Sequence, residues 1–273
     1  MSRRLFGPLA MVVPLLGWTS PALAQPVSVH IPRVSTPPSL ASYTALEPPH
    51  GAGEVSGFIQ RDPRDGRPST LATTVFLSYD QDRLYAVFVC RDDAAQLRAR
   101  LSRRESSDAD DSVSIYLDTF HDRRRAYVFK SNPLGVQADR IKTEGQDDDD
   151  SSDTLWDADS ALTPFGYVVK MSIPFRSLRF SGEPVQTWGI ALERRVQRLN
   201  EESYWPIVSR RVQGFVPQFA LALGLERISP GANVQLTPYG SFTGARIGPA
   251  DEASVDATRR MGLDAKVGLG SAF

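Results

Sequence analysis

The sequence predicts an all-β fold: a jelly-roll-like β-sandwich followed by the first strands of an incomplete β-barrel. Three observations lead to this expectation. Short apolar or alternating runs follow one another from residue 74 to residue 225, with turn residues between them. Helical periodicity is scarce, enough for two turns over residues 94–102 and one over 174–180. From Asn233 the chain becomes Gly-rich and alternates apolar residues with small or polar ones, the pattern of a membrane-barrel strand.

The sandwich is expected over residues 57–228. Residues 58–66 read as a loop, with Asp65-Gly66 suited to a tight turn. Residues 74–79 and 84–90 are strands joined through Asp80-Gln81-Asp82-Arg83, which is hairpin spacing. Over residues 112–117, Val113, Ile115 and Leu117 alternate with Ser112, Ser114 and Tyr116, so one face is buried. Runs at 126–130, 166–173, 188–196 and 219–225 continue the series. Residues 25–56, rich in Pro, Ser and Ala, predict an extended and poorly packed lead-in. The acidic run Asp147 to Asp150 predicts a solvated loop, because adjacent like charges repel unless a cation bridges them.

The two ends carry separate signals. Arg3 and Arg4, an interrupted apolar stretch and the site Pro21-Ala22-Leu23-Ala24 predict a secretory signal peptide over residues 1–24, with Gln25 first in the mature chain. The expected location is the periplasm or outer membrane of a Gram-negative bacterium, which weakens any reading that needs ATP or NAD. Residues 233–273 predict a partial outer-membrane-type barrel segment. Residues 261–269 are apolar at every odd position, but two strands cannot close a barrel, so the chain is read as cut at the barrel start. A hairpin packed on the main domain is the alternative.

Composition narrows the function. The 273 residues include 31 Lys+Arg and 32 Asp+Glu, for a net charge of −1, which offers no global field for nucleic acid. The single cysteine, Cys90, allows neither an internal disulfide nor a cysteine zinc cluster and is expected as a buried thiol. No G-x-S-x-G, H-E-x-x-H or P-loop motif occurs, and His30, His50 and His121 lie in loops. No carboxylate pair is singled out by spacing for glycoside hydrolysis, and no catalytic residue is assigned.

Two chemistries remain. Acids cluster at strand ends, and Asp80, Asp92 and Asp111 are the expected ligands of a structural calcium ion, which takes six to eight oxygens. Trp156, beside the acidic loop, is the expected exposed platform for a sugar ring, with Tyr167, Tyr204 and Trp205 among the further aromatics and Trp188 assigned to the core. Arg125, Asn132 and Gln137 are the hydrogen-bonding candidates, since amides offer both donors and acceptors to hydroxyls. Alternatively, Asn132 and Gln137 fix the turn Pro133-Leu134-Gly135.

An ordered set of residues carries a resemblance: Thr74 to Asp80, Leu84 to Phe88, Asp110-Asp111-Ser112-Val113, Leu117-Asp118-Thr119-Phe120, Asn132 to Gln137, Trp156-Asp157, Ile173-Pro174-Phe175, Leu178-Arg179-Phe180 and Trp188-Gly189-Ile190. From about Phe58 to Leu225 the chain resembles the family 9 carbohydrate-binding-module-like domain, in the version that precedes an uncharacterised outer-membrane β-barrel. The resemblance implies a β-sandwich, structural calcium and sugar binding through aromatic and polar side chains. Ser160 and Tyr167 stand where relatives carry tryptophan, so the two-tryptophan clamp of sugar-binding members is not matched. The expected function is non-catalytic capture of a poly- or oligosaccharide at the outer membrane. A periplasmic structural or plug domain is the first alternative, and a glycoside hydrolase of carbohydrate catabolism the second.

Overall fold

Successive side chains of a strand point to opposite faces, and here the apolar half of each alternation is turned toward a facing sheet. The computed structural model describes residues 26–48, 51–150, 154–230, 233–247 and 254–268. The expected signal peptide and Gln25 lie outside the described residues. In chain order the elements begin with β1 (Ser28–His30), α1 (Leu40–Thr44), β2 (Gly53–Val55), β3 (Ile59–Asp62), β4 (Thr73–Tyr79) and β5 (Arg83–Arg91). They continue with β6 (Ser112–Asp118), β7 (Arg125–Ser131), β8 (Gln137–Thr143), β9 (Asp157–Thr163) and β10 (Gly166–Pro174). The last are β11 (Val185–Val196), β12 (Glu201–Trp205), β13 (Ala220–Glu226), β14 (Asn233–Ile247) and β15 (Ser254–Gly268).

The smaller sheet runs β2-β4-β5-β10-β9 and the larger β1-β13-β11-β6-β7-β8, with β12 and then β3 extending from the second half of β11. Val75, Leu77, Phe88, Val169 and Met171 of the small sheet face Ile115, Leu117, Phe129, Trp188 and Ile190 of the large one in a single core. Each such side chain contributes roughly 1.5–3 kcal/mol by leaving water. Cys90 is fully buried in that core and burial pushes its thiol pKa up, as expected of an inert thiol.

Residues Ile59–Asp62, expected within a loop, form β3 and pair with β12. Two further expectations are corrected. The lead-in is not poorly packed: β1 pairs in parallel with β13, β2 pairs with β4, and Val29, Ile31 and Val55 are buried. Helix α1 covers the outer face of the small sheet through Tyr43, which packs with Val87, Val89 and Val168. The second correction concerns residues 94–102, where only a single 3₁₀ turn forms, over Ala94–Gln96. The amides of Arg98 and Arg100 turn instead to the carboxylates of Asp111 and Asp110, at 2.8 and 3.3 Å.

Strands β14 and β15 pair only with each other among the described residues. Their register sets Pro238, Gly240 and Phe242 opposite Leu263, Met261 and Arg259 on one face. On the other face Thr237, Tyr239, Ser241 and Thr243 lie opposite Asp264, Gly262, Arg260 and Thr258. Phe242, Met261 and Leu263 are all exposed. No closed barrel is present among the described residues.

One inward position on β11 breaks the apolar rule. The row Trp188, Ile190, Leu192 is continued by Arg194, whose side chain is 1% exposed. Its guanidinium crosses to the small sheet and donates to Ala72 O and Thr73 Oγ1 at 3.1 Å, Arg91 O at 3.0 Å and Asp92 Oδ2 at 2.9 Å. Arg198 donates to the other oxygen of Asp92 at 2.5 Å, and the Tyr167 ring lies 5.5 Å from the Arg194 guanidinium. Removing one partner of a buried pair leaves the other charged and desolvated. Arg194→Met should therefore destabilise the protein by about 3 kcal/mol in urea unfolding, the lower end of the range for broken buried pairs because Arg198 remains. A loss below about 1 kcal/mol would show that Arg198 alone satisfies Asp92.

Candidate functional site

The outer face of the large sheet carries the other half of each alternation, and it is polar. Pairing register places Tyr204 beside Glu193, Glu193 beside Ser114, and Ser114 beside Lys130. A parallel row runs from Glu202 through Arg195 to Ser112, and another from Tyr116 through Val128 to Arg140. All of these residues but Tyr204 line a cup of about 170 Å³.

Its charged groups are held by one another. Tyr116 Oη donates to Glu193 Oε2 at 2.8 Å and Tyr204 Oη to Glu193 Oε1 at 3.1 Å. Burial, then the Glu193 charge, raises both tyrosine pKa values well above the ordinary phenol value, so both stay donors. Lys130 Nζ donates to Asp108 at 2.8 Å, and Arg195 pairs with Glu202. Arg140 reaches Asp108 at 3.3 Å, Asp150 at 3.5 Å and Asp148 at 3.6 Å, while Lys142 takes Asp148 at 2.7 Å. The acidic run is thus folded against the rim, with side-chain cations bridging charges that would otherwise repel.

An aromatic ledge borders the cup. Tyr116, Tyr204, Phe215 and Phe219 pack with ring centroids 5.2 to 6.3 Å apart, and Tyr116, Phe215 and Phe219 are half-buried. Glu144 fixes Phe215 by accepting from its amide and from that of Val216 at about 3.0 Å. Arg61 and Lys142 stand over the Phe215 ring at 5.3 and 5.9 Å. The site therefore offers ammonium, guanidinium and hydroxyl donors beside carboxylate acceptors, next to ring faces. Such a mixed set can exchange hydrogen bonds with hydroxyl groups, which both donate and accept.

The expected sugar platform is elsewhere and is not a platform. Trp156 is 5% exposed, lies edge-on to Phe129 at 5.3 Å and donates from Nε1 to Asp139 at 3.2 Å. Its indole is core because the buried Asp139 carboxylate meets the ring N–H. Tyr167 is fully buried beneath Arg194, so it too presents no face to a ligand. Asn132 is fully buried and ties its turn together: Oδ1 accepts from Leu134 and Val136 at 2.9 Å, and Nδ2 donates to Arg100 O and Asp110 at 2.9 Å. Gln137 Nε2 donates to Trp156 O at 3.1 Å. Asn132 thus fixes the turn Pro133-Leu134-Gly135, as the alternative expects, whereas the Gln137 side chain reaches the Trp156 carbonyl and not that turn. Arg125 is exposed at the start of β7 and does not line the cup.

The three expected calcium ligands do not share one site. Asp80 and Asp92 flank opposite ends of β5, with its nine residues between them. Asp80 accepts from the amides of Asp82 and Arg83 at 2.8 Å and from Tyr85 Oη at 2.6 Å. Asp92 is held by two arginines, and Asp111 accepts from the amides of Arg98 and Gln197 at 2.8 and 2.7 Å. No group of three His, Cys, Asp or Glu placed to hold a metal ion occurs among the described residues.

Sequence reasoning missed the cup because its residues are scattered over five strands. The available signal was the outward set Ser112, Ser114, Tyr116, together with the equally alternating Glu193 and Arg195 of the run 188–196.

No family model and no curated protein matches the chain. Among solved structures, it is similar to a candidate carbohydrate-binding protein from Bacteroides uniformis, with 14% identity and a TM-score of 0.59 over 73% of this chain and 99% of that one. A family 9 carbohydrate binding module from Caldicellulosiruptor kristjanssonii, solved with cellotriose, aligns at 14% identity and a TM-score of 0.49 over 72% of this chain and 92% of its own. The first likeness is one of fold, and the second carries no weight.

Two outcomes follow from this geometry. Trp156→Ala should cost about 3–5 kcal/mol of stability, as for a large aromatic removed from a core, and thermal unfolding would measure it. Glu202 has its pKa raised by burial first and by Glu193 second, against the lowering effect of Arg195. A raised carboxylate binds its proton more tightly in the folded than in the unfolded chain, so stability falls as pH rises from its unfolded toward its folded pKa. Glu202→Gln removes that cost. The difference in Tm between variant and parent should thus be more favourable to the variant at pH 7 than at pH 4, and an unchanged difference would contradict the reading.

Proposed function

We propose that the chain is an exported, non-catalytic carbohydrate-binding domain that holds a poly- or oligosaccharide in the cup on the outer face of the large sheet. One observation carries the reading: donors from Lys130, Arg140 and Arg195 alternate with acceptors from Glu193 and Glu202 around one small volume, beside a ledge of aromatic rings. Sugar hydroxyls are both donors and acceptors, so a mixed set satisfies them where a set of one kind leaves groups unpaired. The fold shared with a candidate carbohydrate-binding protein supports the same class of ligand.

We further propose that β14 and β15 belong to an outer-membrane barrel. Each has 15 residues, more than the 9–11 that cross a bilayer as a tilted strand. Their apolar and polar faces are the two that a barrel strand turns to lipid and lumen. The domain would then sit on the periplasmic side, after export through the expected signal peptide. Intact mass of material recovered from the periplasm or outer membrane tests export, with a start at Gln25 expected and retention of Arg3 and Arg4 contrary to it.

A glycan array on the mature chain should return poly- or oligosaccharide ligands. Ser114→Phe fills the cup without removing a core contact and should weaken the best of them at least tenfold, about 1.4 kcal/mol, with the circular dichroism spectrum unchanged. Parental affinity in that variant would place the ligand elsewhere. An array with no ligand would favour the structural or plug reading, and reducing-sugar release would favour a hydrolase.

A further inference from the structure

We propose that a second site, an arginine-lined cleft at the β3 edge of the large sheet, binds an acidic sugar unit through Arg64 and Arg67 for its anion and Asp65 for a neighbouring hydroxyl. The ligand class rests on the carbohydrate-binding reading; the place does not, since the cleft shares no residue with the cup.

The cleft lies between two loops. The first follows β3 and turns back on itself: Gln60 N donates to Arg67 O at 2.7 Å, Gly66 N to Gln60 O at 2.9 Å and Arg67 N to Arg64 O at 3.0 Å. Gly66 takes φ +84°, which a side chain rarely adopts, so this tight turn depends on glycine. The second loop, around Ser209 to Arg211, is braced by Gln218, which accepts from Ser209 N at 2.9 Å and donates to Ser209 O at 3.1 Å. Polar contacts lock the loops together. Ser209 Oγ donates to Asp65 Oδ2 at 2.7 Å, Arg211 lies 3.4 Å from the same oxygen, and Arg210 pairs with Asp62 at 2.6 Å.

Between the loops is a cleft of about 470 Å³, lined by Pro63, Arg64, Asp65, Arg67, Arg210 and Arg211. That falls within the about 300–1,000 Å³ of small-molecule pockets. Arg210 and Arg211 have carboxylate partners, but the guanidinium groups of Arg64 and Arg67 make no hydrogen bond or ion pair among the described residues. Counting Asp62 and Asp65 against the four arginines leaves an excess of two positive charges in a chain whose net charge is −1. Guanidinium forks match carboxylate, sulfate and phosphate in planar, two-bond geometry.

The floor of the cleft narrows the choice. The Asp65 side chain is 5% exposed, and its Oδ1 is buried without a hydrogen-bond partner. A buried acceptor left unmet is costly. A bare anion cannot meet it and is repelled by it; a hydroxyl can. The fitting ligand therefore carries an anionic group and a free hydroxyl close together, as a uronate or a sulfated sugar does.

The test is calorimetry of the full chain against three oligosaccharides of equal length: an oligogalacturonate, a sulfated galactan and a neutral galactan, with inorganic sulfate, an anion without a hydroxyl, as a fourth titrant. One or both acidic oligosaccharides should bind at least tenfold more tightly than the neutral one. Arg64→Gln/Arg67→Gln should abolish that preference while leaving Tm unchanged, because neither side chain has a partner to lose. Which acidic arm binds decides between carboxylate and sulfate. Ser114→Phe, which blocks the cup, should keep the preference, so a cup that binds no sugar and a cleft that does remain separable. Equal affinity for acidic and neutral oligosaccharides overturns the proposal. So does a preference that survives the double substitution, or inorganic sulfate binding as tightly as the sugar.

Discussion

The ion pair of Arg194 and Asp92 fixes how the two sheets face each other. Apolar packing between sheets is non-directional and tolerates small slides. Four hydrogen bonds from one planar guanidinium to two backbone carbonyls, a hydroxyl and a carboxylate do not. They tie β11 of the large sheet to the ends of β4 and β5 in the small one. The tie also sets the face of everything around it. Side chains alternate along β11, so an inward Arg194 sends Glu193 and Arg195 outward to the cup. A slip of one residue would bury both of those charges and expose the arginine. The core and the candidate site are thus two readings of one register.

The cup is preorganised by the same economy of charge. Each of its cations already lies against a carboxylate, and Glu193 is held by two tyrosine hydroxyls. Such groups need little rearrangement to accept a ligand, so binding loses little conformational freedom. The gain is correspondingly small. A sugar hydroxyl exchanges bonds with water for bonds with a protein group already partly satisfied, and the net effect of such exchanges is modest. For the proposed ligand, contact area would come from the ring faces of the ledge, where Glu144 holds the backbone of Phe215 and Val216.

Fold was legible in the sequence, and site was mostly not. The strands at 74–79, 84–90, 112–117 and 166–173 were visible because each is a short apolar or alternating run between turn signals. Strands β8 and β9, QADRIKT and DADSALT, were not, since their burial comes from pairing with neighbours rather than from apolar side chains. β1 and α1 were hidden by the prolines around them. Trp156 misled for a physical reason: its flanking acids suggest solvent, yet one of the nearest carboxylates in space, Asp139, is buried and serves the indole N–H. Local composition reports exposure of the neighbours, not of the residue itself. Among the strand-end aspartates, backbone amides bond to Asp80 and Asp111 and two arginines to Asp92, partners that composition alone does not reveal.

The chain's arginines then form a graded series, ordered by how many of their donors are already used. Arg194 spends four bonds inside the protein and is structural. Arg140 and Arg195 spend theirs on carboxylates at the edge of a cup and still face it, so they can hold a hydroxyl without surrendering their partners. Among the described residues the guanidinium groups of Arg64 and Arg67 spend none. With 27 arginines in the sequence, residue type alone separates none of these roles. Donor occupancy does, because an unspent guanidinium fork can pair with an anion at the loss of bonds to water alone, whereas a spent one must break a protein contact first. By that measure the cup suits neutral hydroxyls and the cleft suits an anionic group.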